Sequence, residues 1–163
     1  MGEQLVKESP NQLEVRDVFR EGIMSIEKKM MDIPSVLKGK ELDKFVKLRH
    51  SFTKGCYIRE VFALKGQLII TKIHKVQHPY FILTGDISIM TKDGFKRVKA
   101  PHYGITEAGT KRIVYVHEDC WFITVHVTNE TDLDKIETEV IAKDFKEIDD
   151  LESEKYIEIK EES

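Results

Sequence analysis

The segment Gly66–Gly85 reads GQLIITKIHKVQHPYFILTG. Its apolar residues alternate with polar ones at the period of a β-strand, which puts Lys72 and His74 on one face. Lys75-Val76-Gln77 then turns the chain, and His78 opens the next run. Two imidazoles on adjoining strands, facing one interior, are the beginning of a metal site. Two ordinary packing histidines are the other reading of the same spacing.

The same two-residue period extends outward in both directions. It predicts strands over 56–64, 67–74, 79–84, 86–91, 95–99, 111–117 and 121–127. Lys65-Gly66, Thr84-Gly85, Lys92-Asp93-Gly94 and Ala108-Gly109 punctuate them, and Asp93-Gly94 between two alternating runs predicts a tight hairpin. Short strands at this spacing belong to a sandwich or small barrel, not a doubly wound fold. In a small barrel, alternate side chains line the interior. The late strand Trp121–His126 therefore adds Phe122, Thr124 and His126 on one face, and His126 is a candidate third imidazole.

The flanks read as helices. Ser9-Pro10-Asn11-Gln12 has an N-cap, a proline at the first helical position and a capping-box glutamine. Val15, Val18, Phe19, Gly22 and Ile26 follow as an apolar stripe that Pro34 ends. A weaker helical pattern, Leu42, Phe45 and Val46, leads to His50. A last helix is expected from Thr131, carrying Leu133, Ile136 and Val140. From Glu147 onward, eight acidic residues face only Lys155 and Lys160, a net of −6, and read as a solvated acidic tail. Tyr156–Ile159 within it alternates like an edge strand. The expected divisions are a helical extension over 1–49, a β-barrel over 50–130, a C-terminal helix over 131–146 and the tail over 147–163.

Composition narrows the function classes. The chain has 163 residues, enough for one domain of ordinary size, and a formal charge of −3 disfavours a general nucleic-acid binder. No apolar run reaches the roughly 20 residues of a membrane helix. MGEQLVKESP has no apolar core for a secretory signal, so a cytoplasmic location is expected, with neither nucleic-acid polymer nor membrane as partner. Cys56 and Cys120 form no CxxC and are expected to be packing thiols in a reducing setting.

The spacing Gly66-x5-Lys72-x-His74-x3-His78-x6-Gly85 resembles the first motif of the cupin family, G-x5-H-x-H-x3-4-E-x6-G, at every position. Lys72 stands in place of the first ligating histidine and His78 in place of the glutamate. The second motif is degraded. Gly94 and Pro101 have one extra residue between them, Gly104 comes one residue late, and Thr106 or Glu107 falls where the last ligand would sit. The stretches HSFTKGCYIREVFALKG, KIHKVQH, APHYGITEAGTKRIVYVHED and WFITVH, with the helix containing Glu137, also resemble small cupin-like proteins of tailed bacteriophages. The resemblance runs roughly from His50 to Glu139. It implies an all-β fold, a single cupin-like jelly-roll barrel with an N-terminal helical extension and a C-terminal helix. It also implies a phage origin, action in the host cytoplasm and a homodimer, but no settled reaction.

Two chemistries follow for the cavity. His74, His78 and His126 would suit Zn, Fe, Mn or Ni. Lys72 beside such an ion would oppose it, which favours an anion site instead. Lys72, Tyr57, Arg59, Tyr80 and Arg112 are the candidate ligand-binding residues for a small polar or anionic molecule, with Lys111, Tyr103 and Trp121 nearby in sequence. In an enzyme of isomerase or hydrolase type, His74 or His78 would be the general base and Lys72 the acid. An assembly protein using its helix and edge strands is the third class, with the histidines then packing residues. His102 and His117 are expected in loops or on the surface.

Overall fold

A computed structural model describes residues 9–37 and 46–161, with side chains through Glu154. The fold is mostly antiparallel β-sheet with helices at both ends. The strands are β1 (Lys47–Thr53), β2 (Cys56–Ala63), β3 (Leu68–Ile70), β4 (Ile73–His74), β5 (His78–Thr91), β6 (Gly94–Lys99), β7 (His102–Thr106), β8 (Ile113–His126) and β9 (Ile141–Ala142). The helices are α1 (Pro10–Met31), α2 (Leu133–Val140) and α3 (Phe145–Glu161). The main sheet runs β1-β2-β8-β5-β6, with β3 also on β8 and β7 also on β5, while β4 pairs with β9.

The hairpin at Asp93-Gly94 forms as expected, with Thr91 opposite Gly94. Two pairs of expected strands are instead single long ones, β5 and β8. Thr84-Gly85 interrupts the pattern without ending the strand: Gly85 has a φ of +94° and lies where the β5–β8 register shifts. Such a bulge bends a strand while the ladder continues on either side. Next to it, the buried Asp86 carboxylate takes a two-pronged grip from Arg97, at 2.9–3.1 Å, which pins β5 to β6. That grip holds the carboxyl below its ordinary range, and Lys99 adds to it.

Sequence periodicity placed no strand before Cys56 or between Lys99 and Lys111. β1 and β7 occupy both places. β1 is an edge strand with a mostly exposed burial pattern, so it lacks the apolar alternation that announces a half-buried strand. His102 and His117 are accordingly in strands, with their Nε2 atoms at the Tyr80 hydroxyl (3.4 Å) and the Ser88 hydroxyl (2.7 Å).

The core is built from Ala63, Tyr80, Ile82, Ile87, Ile89, Val98, Val116 and Cys120, all from strands of the main sheet. Burial pushes the Cys120 thiol up to about 11, as a packing thiol requires. Ile136 and Val140 of α2 close one end against Tyr57.

The ends differ from expectation in instructive ways. α1 has the predicted capping box at Ser9 and Gln12. Its buried residues, however, are Arg20 and Ile23, and Val15 and Val18 are exposed. The buried side of α1 carries ion pairs beside the apolar Ile23. Arg20 reaches Asp149 at 2.8 Å and lies 4.6 Å from the centre of the Phe145 ring, and Lys111 reaches Glu27 at 2.8 Å. The Leu42–Phe45 pattern lies outside the described residues. The expected helix from Thr131 starts one residue late, capped by Asp132, and stops at Val140 so that β9 can pair with β4. The acidic stretch is helical: α3 buries Ile148 against Ile73 and Ala142, and its Asp149 and Glu152 pair with α1.

Candidate metal centre

Three strand ends bring the imidazoles together. His74 is in β4, held by pairing with Ile141 and by backbone bonds to Thr110 and Gly109. His78 opens β5 opposite Thr106, and His126 closes β8 opposite Tyr57. The ring centres of His78 lie 4.3 Å from His74 and 4.4 Å from His126. One nitrogen from each ring lies within 4.8 Å of the others. His78 and His126 are 3% and 4% exposed, and His74 is half-buried.

Hydrogen bonds hold two of the rings, and each leaves one nitrogen available for a metal. His78 Nδ1–H donates to the Val76 carbonyl at 3.1 Å, which leaves Nε2 with its lone pair. His126 Nε2 meets the Thr124 hydroxyl at 3.1 Å, and a proton donated along that bond leaves Nδ1 bare. His74 Nδ1 is buried and has no hydrogen-bond partner. A buried polar atom left so costs about 1–3 kcal/mol. Burial holds His74 down to about 3, with His78, His126, Arg112 and Arg59 adding to it. Burial likewise holds His126 down to about 4, and lowers His78 against the opposing pull of the Val76 carbonyl. All three rings are therefore neutral near pH 7, the form that binds metal. The residues fit a divalent ion.

The surrounding interior is aromatic and cationic. Tyr57 stacks on His126 at 5.8 Å, and its hydroxyl meets His50 Nδ1 at 2.8 Å. Arg59 lies on the same sheet face as Tyr57, two residues along β2 and opposite Thr124. Arg112 lies over the Tyr80 ring at 4.9 Å and donates to the Thr106 hydroxyl at 2.9 Å. Of the expected ligand-binding set, Tyr57, Arg59, Tyr80 and Arg112 thus gather around the histidines.

Lys72 does not. Its side chain is 56% exposed and its amine pairs with Glu137. Lys72 follows β3 and precedes β4, so the alternation that put it beside His74 is broken there. It lines an outer cavity of about 390 Å³ with Lys75, Lys111, Glu137 and Lys143. The expected conflict between a lysine and a metal is therefore absent. Lys111 is committed to Glu27, Tyr103 is 72% exposed, and Trp121 packs on Phe62 at 5.0 Å on the other sheet face. The residue that sequence reasoning missed is Thr106. Position alone marked it as the place of a lost ligand, and its hydroxyl instead orients Arg112.

No family model matches the chain, and no curated protein does. Among solved structures, the chain is similar to a cupin-2 domain containing protein from Shewanella frigidimarina, at 10% identity and a TM-score of 0.43, over 57% of this chain and 95% of that one. It is similar to a conserved protein of unknown function from Streptococcus pyogenes, at 21% identity and a TM-score of 0.43, over 61% and 92%. A third is a predicted oxalate decarboxylase from Thermotoga maritima, at 15% identity and a TM-score of 0.42, over 51% and 81%. Among the described residues, no helix is long and apolar enough to cross a membrane.

Proposed function

We propose that this chain is a cupin-type barrel protein that holds a divalent metal on His74, His78 and His126 and binds a small molecule beside it. The observation that carries this is the convergence of three neutral imidazoles, one with a buried nitrogen that nothing else satisfies. When bound, Zn, Fe, Mn or Ni would supply a Lewis acid with positions left for a ligand. The protein's part is to fix His78 through the Val76 carbonyl and His126 through the Thr124 hydroxyl, and to wall the site with Tyr57 and Tyr80. Origin in a tailed bacteriophage and action in the host cytoplasm belong to the same proposal and are supported by the sequence likeness.

An enzyme of isomerase or hydrolase type remains the alternative use of this cavity. A metal-free version has fewer groups to draw on. His74, held down to about 3, is too weak a base near neutral pH, and Lys72 is outside, which leaves His78 as the base of such a version. The test is elemental analysis of untagged protein purified without chelator. Near one equivalent of metal is expected in the wild type and in Lys72→Ala, and less than about a tenth of that in folded His74→Ala/His78→Ala. Metal-free wild type, or equal metal in the double variant, would refute the site.

We also propose a homodimer. The sheet face opposite the histidines exposes Leu83 (54%), Tyr103 (72%) and Ile105 (50%) side by side on β5 and β7, and apolar patches of this kind mark contact surfaces. Sedimentation should show a dimer that Tyr103→Lys/Ile105→Lys splits; a monomeric wild type would end this reading.

A further inference from the structure

We infer that Arg112 is the anchor for a small oxyanion, of the carboxylate class, bound beside the three-histidine site; the inference rests on the metal-binding reading above. Arg112 immediately precedes β8, and its backbone is locked by a reciprocal pair of bonds with Thr71. Its N–H donates to Thr71 Oγ1 at 2.8 Å, and its carbonyl accepts from Thr71 N–H at 2.9 Å. The guanidinium is stacked on Tyr80 and spends one N–H on Thr106, which itself is 3% exposed and sits across from His78. A guanidinium carries five N–H donors in a planar fork, so most of its edge remains for a second partner.

What it lacks is a counter-ion. Arg20, Arg97, Lys75 and Lys111 each hold a carboxylate at 2.6–2.9 Å. Arg112 holds none among the described residues. The charged groups that act on His74 are Arg112 and Arg59, and both are cations. Glu137, whose charge reaches Tyr57, is taken by Lys72. A half-buried cation without a counter-ion is costly, and a divalent ion on the nearby imidazoles would add to the excess. A carboxylate relieves both, because its two oxygens match the guanidinium fork.

The experiment titrates zinc-loaded protein calorimetrically with lactate, with its uncharged counterpart lactamide, and with inorganic phosphate. Lactate is expected to bind at least about tenfold more tightly than lactamide, the size of a charge-assisted pair. Arg112→Gln should lose about tenfold or more for lactate and nothing for lactamide. Phosphate binding better than lactate would move the ligand class from carboxylate to phosphate and overturn that part. Zinc affinity, read separately by competition with a chromophoric chelator, should stay within about threefold in Arg112→Gln or tighten, since a cation has been removed. Equal binding of lactate and lactamide, no binding of either, or an Arg112→Gln protein that loses zinc along with lactate would each overturn the proposal. If the wild type takes up no zinc, the metal reading fails by itself, and the same titrations on metal-free protein decide Arg112. Melting curves of both proteins check that the variant is folded.

Discussion

Metal-free protein, kept so with a chelator, should lose on the order of 4 kcal/mol of stability between pH 7 and about pH 5. The sign follows from the direction of the shifts. His74 and His126 titrate near 6.5 when unfolded but are held down to about 3 and about 4 in the fold. Above 6.5 both states are neutral and the groups contribute nothing. Below it the unfolded chain binds protons that the folded one refuses, so stability falls with pH until the folded values are reached. Each histidine contributes about 1.4 kcal/mol per pH unit over that window, and His78, shifted the same way, adds to the loss. Carboxylates do not mask the effect. Asp86, Glu130 and Glu147 are held below their ordinary values and give up their contribution at lower pH, below about 4.5. Denaturant midpoints at the two pH values measure the loss. His74→Ala/His126→Ala should flatten the slope. A flat wild-type profile would mean that the imidazoles are hydrated in the fold, and the cluster would lose its claim to be a buried ligand set. Saturating metal should raise stability at both pH values, because rings held down to about 3 and about 4 are still free of protons at pH 5.

The histidine cluster was legible because it rests on strand alternation, which fixes faces without needing the three-dimensional path. His74 and His78 share one short segment, and the parity of β8 gives His126. Lys72 was misplaced by the same rule. Alternation holds only while the strand lasts, and the chain leaves strand geometry between Ile70 and Ile73. The ends were least legible for a different reason. α1 docks through Arg16 and Arg20 onto Asp149 and Glu152, contacts 129 or more residues apart in sequence, and an apolar stripe cannot report an ionic face. The acidic stretch reads as a tail because its acids far outnumber its lysines. In the fold Asp149 and Glu152 pair with α1, Glu147 with Lys75 and Asp150 with Lys146, and Ile148 is buried. β9 is two residues long and carries no period at all, yet it is the strand that pairs with His74.

Gly85→Ala should destabilise the protein by about 3 kcal/mol or more and lower the melting temperature by about 10 °C. Two effects add. The backbone at Gly85 has a φ of +94°, where a Cβ costs roughly 1–2 kcal/mol. The new Cβ would also lie 2.5 Å from the Asp119 carbonyl oxygen and 2.8 Å from Cys120 Cα. Neither atom can rotate away, because both belong to the backbone of β8. Relief would require parting β5 from β8 at the bulge, beside the buried Cys120 and Asp86. Gly55→Ala separates the two effects. Its φ is +77° and a Cβ there meets nothing within 4 Å, so only the backbone cost of about 1 kcal/mol is expected. Equal melting temperatures for the two variants would show that the β5–β8 contact at Gly85 is not close. The larger loss at Gly85 alone would explain the glycine at the end of the Gly66–Gly85 segment. It lets one strand bend over the core and carry His78 to the histidine cluster at one end and the Asp86–Arg97 clasp toward the other.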